Sequence, residues 1–167
     1  MKRWKLITIL LAVSLVLGAQ NNPYGLDDEC YAIYYNVEQL VGKPNFDKEN
    51  NRLISTAILK RDTKAQTLYY VERLKDLTVR LAEKKTTTQK QDDQVLEYME
   101  DLKRVATDLD QPQYFYYAYD IAQNYFFSHD KLYQTMELVK DMREQAVERN
   151  EPYGIWMGNR YLISLYI

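Results

Sequence analysis

The feature that most constrains this chain is a phrase of sequence that returns. Asp110-Gln111-Pro112 opens the run Tyr114-Phe115-Tyr116-Tyr117-Ala118-Tyr119-Asp120-Ile121-Ala122. Forty residues on, Asn150-Glu151-Pro152 opens Gly154-Ile155-Trp156-Met157-Gly158-Asn159-Arg160-Tyr161-Leu162. A third copy, Ala65-Gln66-Thr67-Leu68-Tyr69-Tyr70-Val71-Glu72-Arg73-Leu74, lies 47 positions before the middle one. A period of this size is that of stacked helix pairs, in which no single unit can bury its apolar face alone. The expected fold is therefore all-α: a right-handed solenoid of antiparallel helix pairs.

Helical spacing supports this along the chain. Asp27 or Asp28 can cap a helix running to about residue 41, with Ile33, Tyr34, Val37, Leu40 and Val41 apolar; Gly42-Lys43-Pro44-Asn45 stops it. A second helix is predicted over 46–60, with Leu53, Ile54, Ala57 and Ile58 on one side. Asp62-Thr63 caps a third over 64–83, whose face is Tyr70, Val71, Leu74, Leu77 and Leu81. Residues 84–91 are polar and aperiodic and read as an exposed loop. Asp92 or Asp93 is expected to cap a helix to about Leu109 that buries Val95, Tyr98, Met99, Leu102, Val105, Ala106 and Leu109. Residues 113–127 follow, then a turn at Ser128-His129-Asp130. A helix over 131–149 turns Leu132, Met136, Val139 and Met142 inward. A last helix begins near Tyr153 and is still apolar at Ile167. Strand-like alternation is absent from the sequence.

The first residues read as a processing signal. Met1-Lys2-Arg3-Trp4-Lys5 is a basic opening, Leu6 to Leu17 an almost unbroken apolar run, and Gly18-Ala19 a small-residue cleavage point. This is the layout of a secretory signal peptide, so residues 1–19 are expected to be removed. Residues 20–26 form an irregular lead-in and 27–167 the helical repeat domain. Whether the signal is cut or kept as an anchor is open. Arg160 to Ile167 lacks a polar closing face, which repeat stacks need. The chain is thus expected to continue beyond Ile167 as part of a longer protein.

Charge and composition narrow the function. Without residues 1–19, which carry Lys2, Arg3 and Lys5 and no acid, 22 basic residues fall to 19 against 24 acidic ones, a net charge of −5. That balance argues against a nucleic-acid partner, which needs clustered Lys and Arg. The single cysteine, Cys30, allows no internal disulfide, and it is expected to be a small buried residue with acidic neighbours that keep its thiol unreactive. His129 is the only histidine. With one His and one Cys there is no metal-ligand spacing, no base for a Ser or Cys nucleophile, and no glycine-rich phosphate loop. The acids Asp92, Asp93, Glu97, Glu100 and Asp101 read as a helix start and a solvated face. A glycosidase would need two carboxyl groups across a cleft, which one helix cannot supply. Within these residues the expectation is no catalytic residue, no metal site, no cofactor and no enzyme activity.

Tyrosine is the compositional anomaly, 16 of 167 residues. In 113–127 one face holds Tyr114, Ala118, Ile121 and Tyr125, and a second holds Phe115, Tyr119, Ala122 and Phe126. A helix with two apolar faces packs on two sides, as an inner helix of a stack must. The remaining stripe is Tyr116, Asp120, Gln123 and Phe127. If the repeats stack in register, Tyr69, Tyr116 and Trp156 line up, with Arg73, Asp120 and Arg160 one turn along. Those six residues are the candidate partner-binding groove, because aromatic and charged side chains on the concave side of a helical stack suit a peptide. The competing reading of the same six is inter-helix packing and ion pairing.

The copy Ala118, Ile121-Ala122, Tyr125, with the turn Ser128-His129-Asp130, and the partial copy Gly158, Tyr161-Leu162, Leu165 resemble tetratricopeptide repeats. With the signal peptide, the opening Asn22-Pro23-Tyr24-Gly25-Leu26-Asp27-Asp28-Glu29-Cys30 and the segment Lys64-Ala65-Gln66-Thr67-Leu68-Tyr69-Tyr70-Val71, the chain resembles the exported N-terminal region of bacterial membrane-tethered regulators. In that family tetratricopeptide repeats precede a transmembrane helix and a cytoplasmic output, a histidine kinase or a DNA-binding module. The resemblance implies a sensing or protein-interaction module on the periplasmic side of the inner membrane, with a protein or peptide partner. Its membrane tether and output would lie beyond Ile167. The alternative is a stand-alone exported scaffold or adaptor without signalling output.

Overall fold

A computed structural model of the protein describes residue 35, residues 37–109 and residues 111–166. The chain divides into two compact units, 1–36 and 37–167, and every helix described below belongs to the second. The signal segment, the lead-in, the Asp27/Asp28 cap, Cys30 and Ile167 lie outside the described residues.

Six helices follow one another: α1 (Phe46–Lys60), α2 (Thr63–Ala82), α3 (Gln89–Ala106), α4 (Gln113–Ser128), α5 (Leu132–Glu148) and α6 (Pro152–Tyr166). Among the described residues there is no strand. The fold is all-α and helical-repeat-like. Residues 39–45 ahead of α1 are turns, with Gly42 at φ +78° donating its backbone N–H to the buried Asp76 carboxylate on α2 at 2.7 Å.

Each helix packs on the next, and two further contacts skip one: α2 touches α4, and α4 touches α6. The odd-numbered helices α1, α3 and α5 make no such contacts with one another. The even helices thus form one layer and the odd helices back it. Short connectors make sequence neighbours antiparallel. Three of them use the same device. At the ends of α1, α4 and α5 the residues Arg61, Asp130 and Asn150 take positive φ (55°, 57° and 53°). The following N–H then reaches back to the last helical turn: Asp62 to Ala57 at 2.9 Å, Lys131 to Phe126 at 3.0 Å, Glu151 to Ala146 at 2.9 Å. This is the Schellman closure, here made without glycine.

Capping explains the two longer starts. Asp62 accepts from the N–H of Ala65 at 2.9 Å and begins α2. For α3 the expected cap is displaced. Thr88 caps the helix in a reciprocal capping box with Gln91, so α3 begins at Gln89, a turn before the expected Asp92 or Asp93. Asp92 is then free to point inward, where it is 5% exposed.

The core follows the predicted stripes closely. Tyr70, Val71, Leu74, Leu77 and Leu81 of α2 and Val95, Met99, Leu102, Val105 and Ala106 of α3 are buried, and so are Leu53, Ile54 and Ala57 of α1. Ile58 and Leu132, expected inward, stand out instead at 51% and 57% exposure, and Tyr98, Leu109 and Met136, also expected inward, are only half-buried; α5 buries Thr135, Val139, Met142 and Ala146. Glycine lets the last helix approach closely. A Cβ on Gly154 would sit 2.3 Å from Cζ of Tyr116, and one on Gly158 would sit 2.7 Å from Cβ of Arg143.

Candidate functional site

Four tyrosines of α4 and α6 are anchored by their hydroxyls. Tyr125 on α4 donates to Asp92 on α3 at 2.8 Å. Tyr119 on α4 donates to Asp141 on α5, and Tyr116 on α4 to Glu151 in the α5–α6 turn. Tyr161 on α6 donates to Asp120 on α4. In each case the ring fills space between helices while the hydroxyl reaches a carboxylate near the edge, which satisfies the one polar atom of an otherwise apolar side chain. Burial, followed by the hydrogen bond to the acid, pushes these phenols up; Tyr125 rises to about 12, and Tyr116, Tyr119 and Tyr161 rise further.

Around Asp92 the anchor becomes a cluster. Lys131, at the start of α5, pairs with Asp92 and donates to the Thr87 hydroxyl at 2.6 Å, and Thr87 in turn donates to Asp92 at 3.0 Å. Burial alone would raise the Asp92 carboxyl, but the hydrogen bonds from Lys131, Tyr125 and Thr87 outweigh it and hold the group below the usual range. His129 sits beside this cluster in the α4–α5 turn. Its ring nitrogens lie 2.8 Å from the Tyr125 carbonyl and 3.2 Å from the Leu81 carbonyl, tying the end of α4 to the end of α2.

The six residues expected to form one groove are placed in four different settings. Tyr69 and Tyr116 are 4% and 0% exposed and belong to the core. Arg73 faces α3, where its guanidinium stands 4.4 Å from the centre of the Tyr98 ring. Asp120 is half-buried under Tyr161 and also accepts from Asn124 at 3.2 Å. Trp156 is exposed, with the Arg160 guanidinium 5.6 Å from its ring. They therefore do not form a single open aromatic row. The reason is angular. One residue is about 100° of helix, so a stripe misassigned by one position points a different way. On α4 the position taken by Tyr116 meets the side where Gly154 admits the ring, and the open side is one residue further on.

That open side is a groove of about 310 Å³ between α2 and α4. Val79 and Ala82 from α2 and Tyr117 and Ile121 from α4 give it apolar walls. Thr78, Asp120, Asn124 and Ser128 give it hydrogen-bonding edges. Lys75 lies over the Tyr117 ring at 5.7 Å. Of the six expected residues only Asp120 lines this groove. Tyr117 falls on none of the three stripes read from the sequence, and Ile121 was read as part of a packing face; the signal for them is their own i, i+4 spacing against Thr78 and Ala82 on α2. A second, more polar cleft opens among α1, α2 and α3 and contains Arg73.

Among the described residues no group of three or more His, Cys, Asp and Glu side chains converges in a way that could hold a metal ion. Among them, too, no helix is long and apolar enough to cross a membrane. Comparison with protein-family models, with curated proteins and with solved structures finds no match to this chain.

Proposed function

We propose that this chain is an exported protein- or peptide-interaction module, a tetratricopeptide-like right-handed stack whose partner lies in the groove between α2 and α4. The observation that carries this reading is the groove itself. It lies on the layer of even helices, where successive repeats meet, and it combines Val79, Tyr117 and Ile121 with the hydrogen-bonding Asp120, Asn124 and Thr78. Apolar anchors rimmed by polar groups are what an extended or helical segment of a partner needs for affinity and register. The volume is that of two or three side chains, at the small end of the roughly 300–1,000 Å³ found for ligand sites.

The export and the regulator context rest on the basic-then-apolar opening of the sequence and on the resemblance described above. In that setting the module would sit on the periplasmic side of the inner membrane and pass a binding event to an output encoded beyond Ile167.

Selection of a displayed peptide library on the purified chain tests the groove. Enriched peptides are expected to lose binding on Ile121→Asp or Val79→Asp and to keep it on Lys140→Glu, far along the sequence on an exposed part of α5. Peptides indifferent to both groove substitutions would sink the reading. Export is tested separately by fusing residues 1–36 to a phosphatase that folds only outside the cytoplasm; an inactive fusion removes the periplasmic assignment.

A further inference from the structure

The polar cleft among α1, α2 and α3 is larger than the groove, about 480 Å³, and its chemistry is different. Three cations reach it, Arg73 and Arg80 from α2 and Lys84 from the connector after α2. One acid lines it, Asp47. The cations are not equivalent. Arg80 is already neutralised: it holds Asp47 through two hydrogen bonds of 3.2 Å and reaches the buried Asp76 at 2.6 Å. Burial pushes the Asp76 carboxyl up, while Gly42 and Arg80 oppose that shift.

Arg73 and Lys84 have no such compensation. Among the described residues neither pairs with a carboxylate, and the guanidinium N–H groups of Arg73 meet no acceptor. Arg73 is half-buried and stands over Tyr98 at 4.4 Å and Tyr70 at 5.9 Å. Stacking on Tyr98 restrains the guanidinium, and Arg73 lines the cleft. A guanidinium edge is a five-donor fork suited to a carboxylate or phosphate. The N–H groups of Arg73 remain open to solvent, and a bound oxyanion would replace water there with charge-assisted hydrogen bonds. The rest of the lining offers amides: Asn51, the NH2 of Gln91, whose carbonyl oxygen is held in the Thr88 cap, and the carbonyl of Gln94, whose NH2 donates to Tyr98, so that donors and acceptors for hydroxyl groups are both present.

We propose that this cleft binds a small hydroxylated organic anion, a sugar acid or a sugar phosphate. Arg73 and Lys84 hold its carboxylate or phosphate, and the amides of Asn51, Gln91 and Gln94 hold its hydroxyls. The two sources share the same chemistry, an oxyanion on a polyol. The site is independent of the groove between α2 and α4 and stands whether or not a peptide binds there.

Calorimetric titration of the whole chain with glucuronate, glucose 6-phosphate, glucose and inorganic phosphate tests it. At least one of the two anionic sugars is expected to bind, and which one tells carboxylate from phosphate. Lys84→Met, on an exposed connector, should weaken that binding about tenfold, the loss of one charge-assisted contact. Arg73→Lys keeps the charge but loses the fork and should weaken it by a similar factor, with the thermal midpoint of Lys84→Met unchanged as the folding control. Failure of both anionic sugars to bind at millimolar concentration overturns the proposal. So does an affinity untouched by Lys84→Met, or equal binding of neutral glucose or of phosphate alone.

Discussion

Helices α4 and α6 carry the same phrase of sequence, forty residues apart, and the structure treats them differently. In α4 the residues Tyr114, Phe115, Tyr116, Ala118, Tyr119, Ala122, Gln123, Tyr125 and Phe126 are buried. In α6 only Gly154, Met157 and Gly158 are. Tyr116 is fully enclosed, whereas its counterpart Trp156 is 56% exposed; Gln123 is 4% exposed and its counterpart Ile163 is 61%. The more polar residue of the second pair is the buried one. Hydropathy therefore does not decide the difference. Among the described residues α4 touches α2, α3, α5 and α6, while α6 touches only α5 and α4. In a quasi-one-dimensional stack, burial at a repeat position is set by how many neighbours the repeat has, not by the residue alone.

The largest effect follows from removing the enclosed ring. Tyr116→Ala empties a fully enclosed ring site and leaves Glu151 its pairing with Arg149 at 3.1 Å. The expected loss is about 3–5 kcal/mol in chemical denaturation, the range for large aromatic truncations in cores. Tyr116→Phe keeps the ring and should cost only about 1 kcal/mol. Equal losses from the two variants would mean that the hydroxyl anchor, not the ring, positions α4.

The fastening at the C-terminal end of α4 comes next. Lys131→Met leaves the Asp92 carboxylate buried with Tyr125 and Thr87 but without its cation. The expected loss is about 2–3 kcal/mol, less than the ~3–5 kcal/mol of a fully buried pair because Lys131 retains some contact with water. The pH dependence has a definite sign. The Asp92 carboxyl is lowered in the folded state, so its contribution is present above the ordinary value of 3.8 and is lost as pH falls through the folded value. In Lys131→Met only part of the hydrogen bonding opposes desolvation, so acid unfolding should begin at a higher pH. An acid transition unchanged by the substitution would show that the cluster contributes little to folding.

Contact between the two compared helices is probed from the other side by Gly154→Ala. The new Cβ would meet Tyr116 at 2.3 Å and Ala146 at 2.7 Å. Alanine favours the helix by about 1 kcal/mol over glycine, and overpacking costs about 1–3 kcal/mol, so a net loss of up to about 2 kcal/mol is expected. A stabilised variant would show that the Tyr116 ring yields easily and that the enclosure of α4 is loose.

Much of this architecture was readable in the sequence, and the failures share one cause. Helix bounds came from punctuation that acts locally: Asp62 before α2, Gly42 before α1, the Ser128-His129-Asp130 turn after α4. The two apolar faces of α4 came from spacing alone. The cap of α3 was also local, since Thr88 and Gln91 spell a capping box, but the acids at Asp92 and Asp93 drew the boundary one turn late. The groove was not local. Tyr116 enters the core because Gly154, 38 positions on, makes room for it, and Tyr117, one residue further, faces the groove that α4 forms with α2. Within α4 only the i, i+4 partner separates the two adjacent tyrosines, Asp120 for Tyr116 and Ile121 for Tyr117, and that spacing does not say which side α6 will cover. Arg73 is a similar case: its residue type suggested a ligand contact, but its direction toward Tyr98 depends on how α3 packs on α2.

The smallest expected effect is the most discriminating for the comparison. Trp156→Ala removes the largest side chain of α6, yet the ring is 56% exposed and its contact with Arg160 is a surface cation–π pair at 5.6 Å. Exposed substitutions of this kind stay within about 0.5 kcal/mol. A loss near zero, beside several kcal/mol at Tyr116, would establish that the same repeat position changes from structural to dispensable with the number of helices packed around it. A loss approaching that of Tyr116→Ala would require Trp156 to be covered in solution. Its dependence on protein concentration would then separate coverage by a second copy from coverage within one chain, because only association makes measured stability rise with concentration.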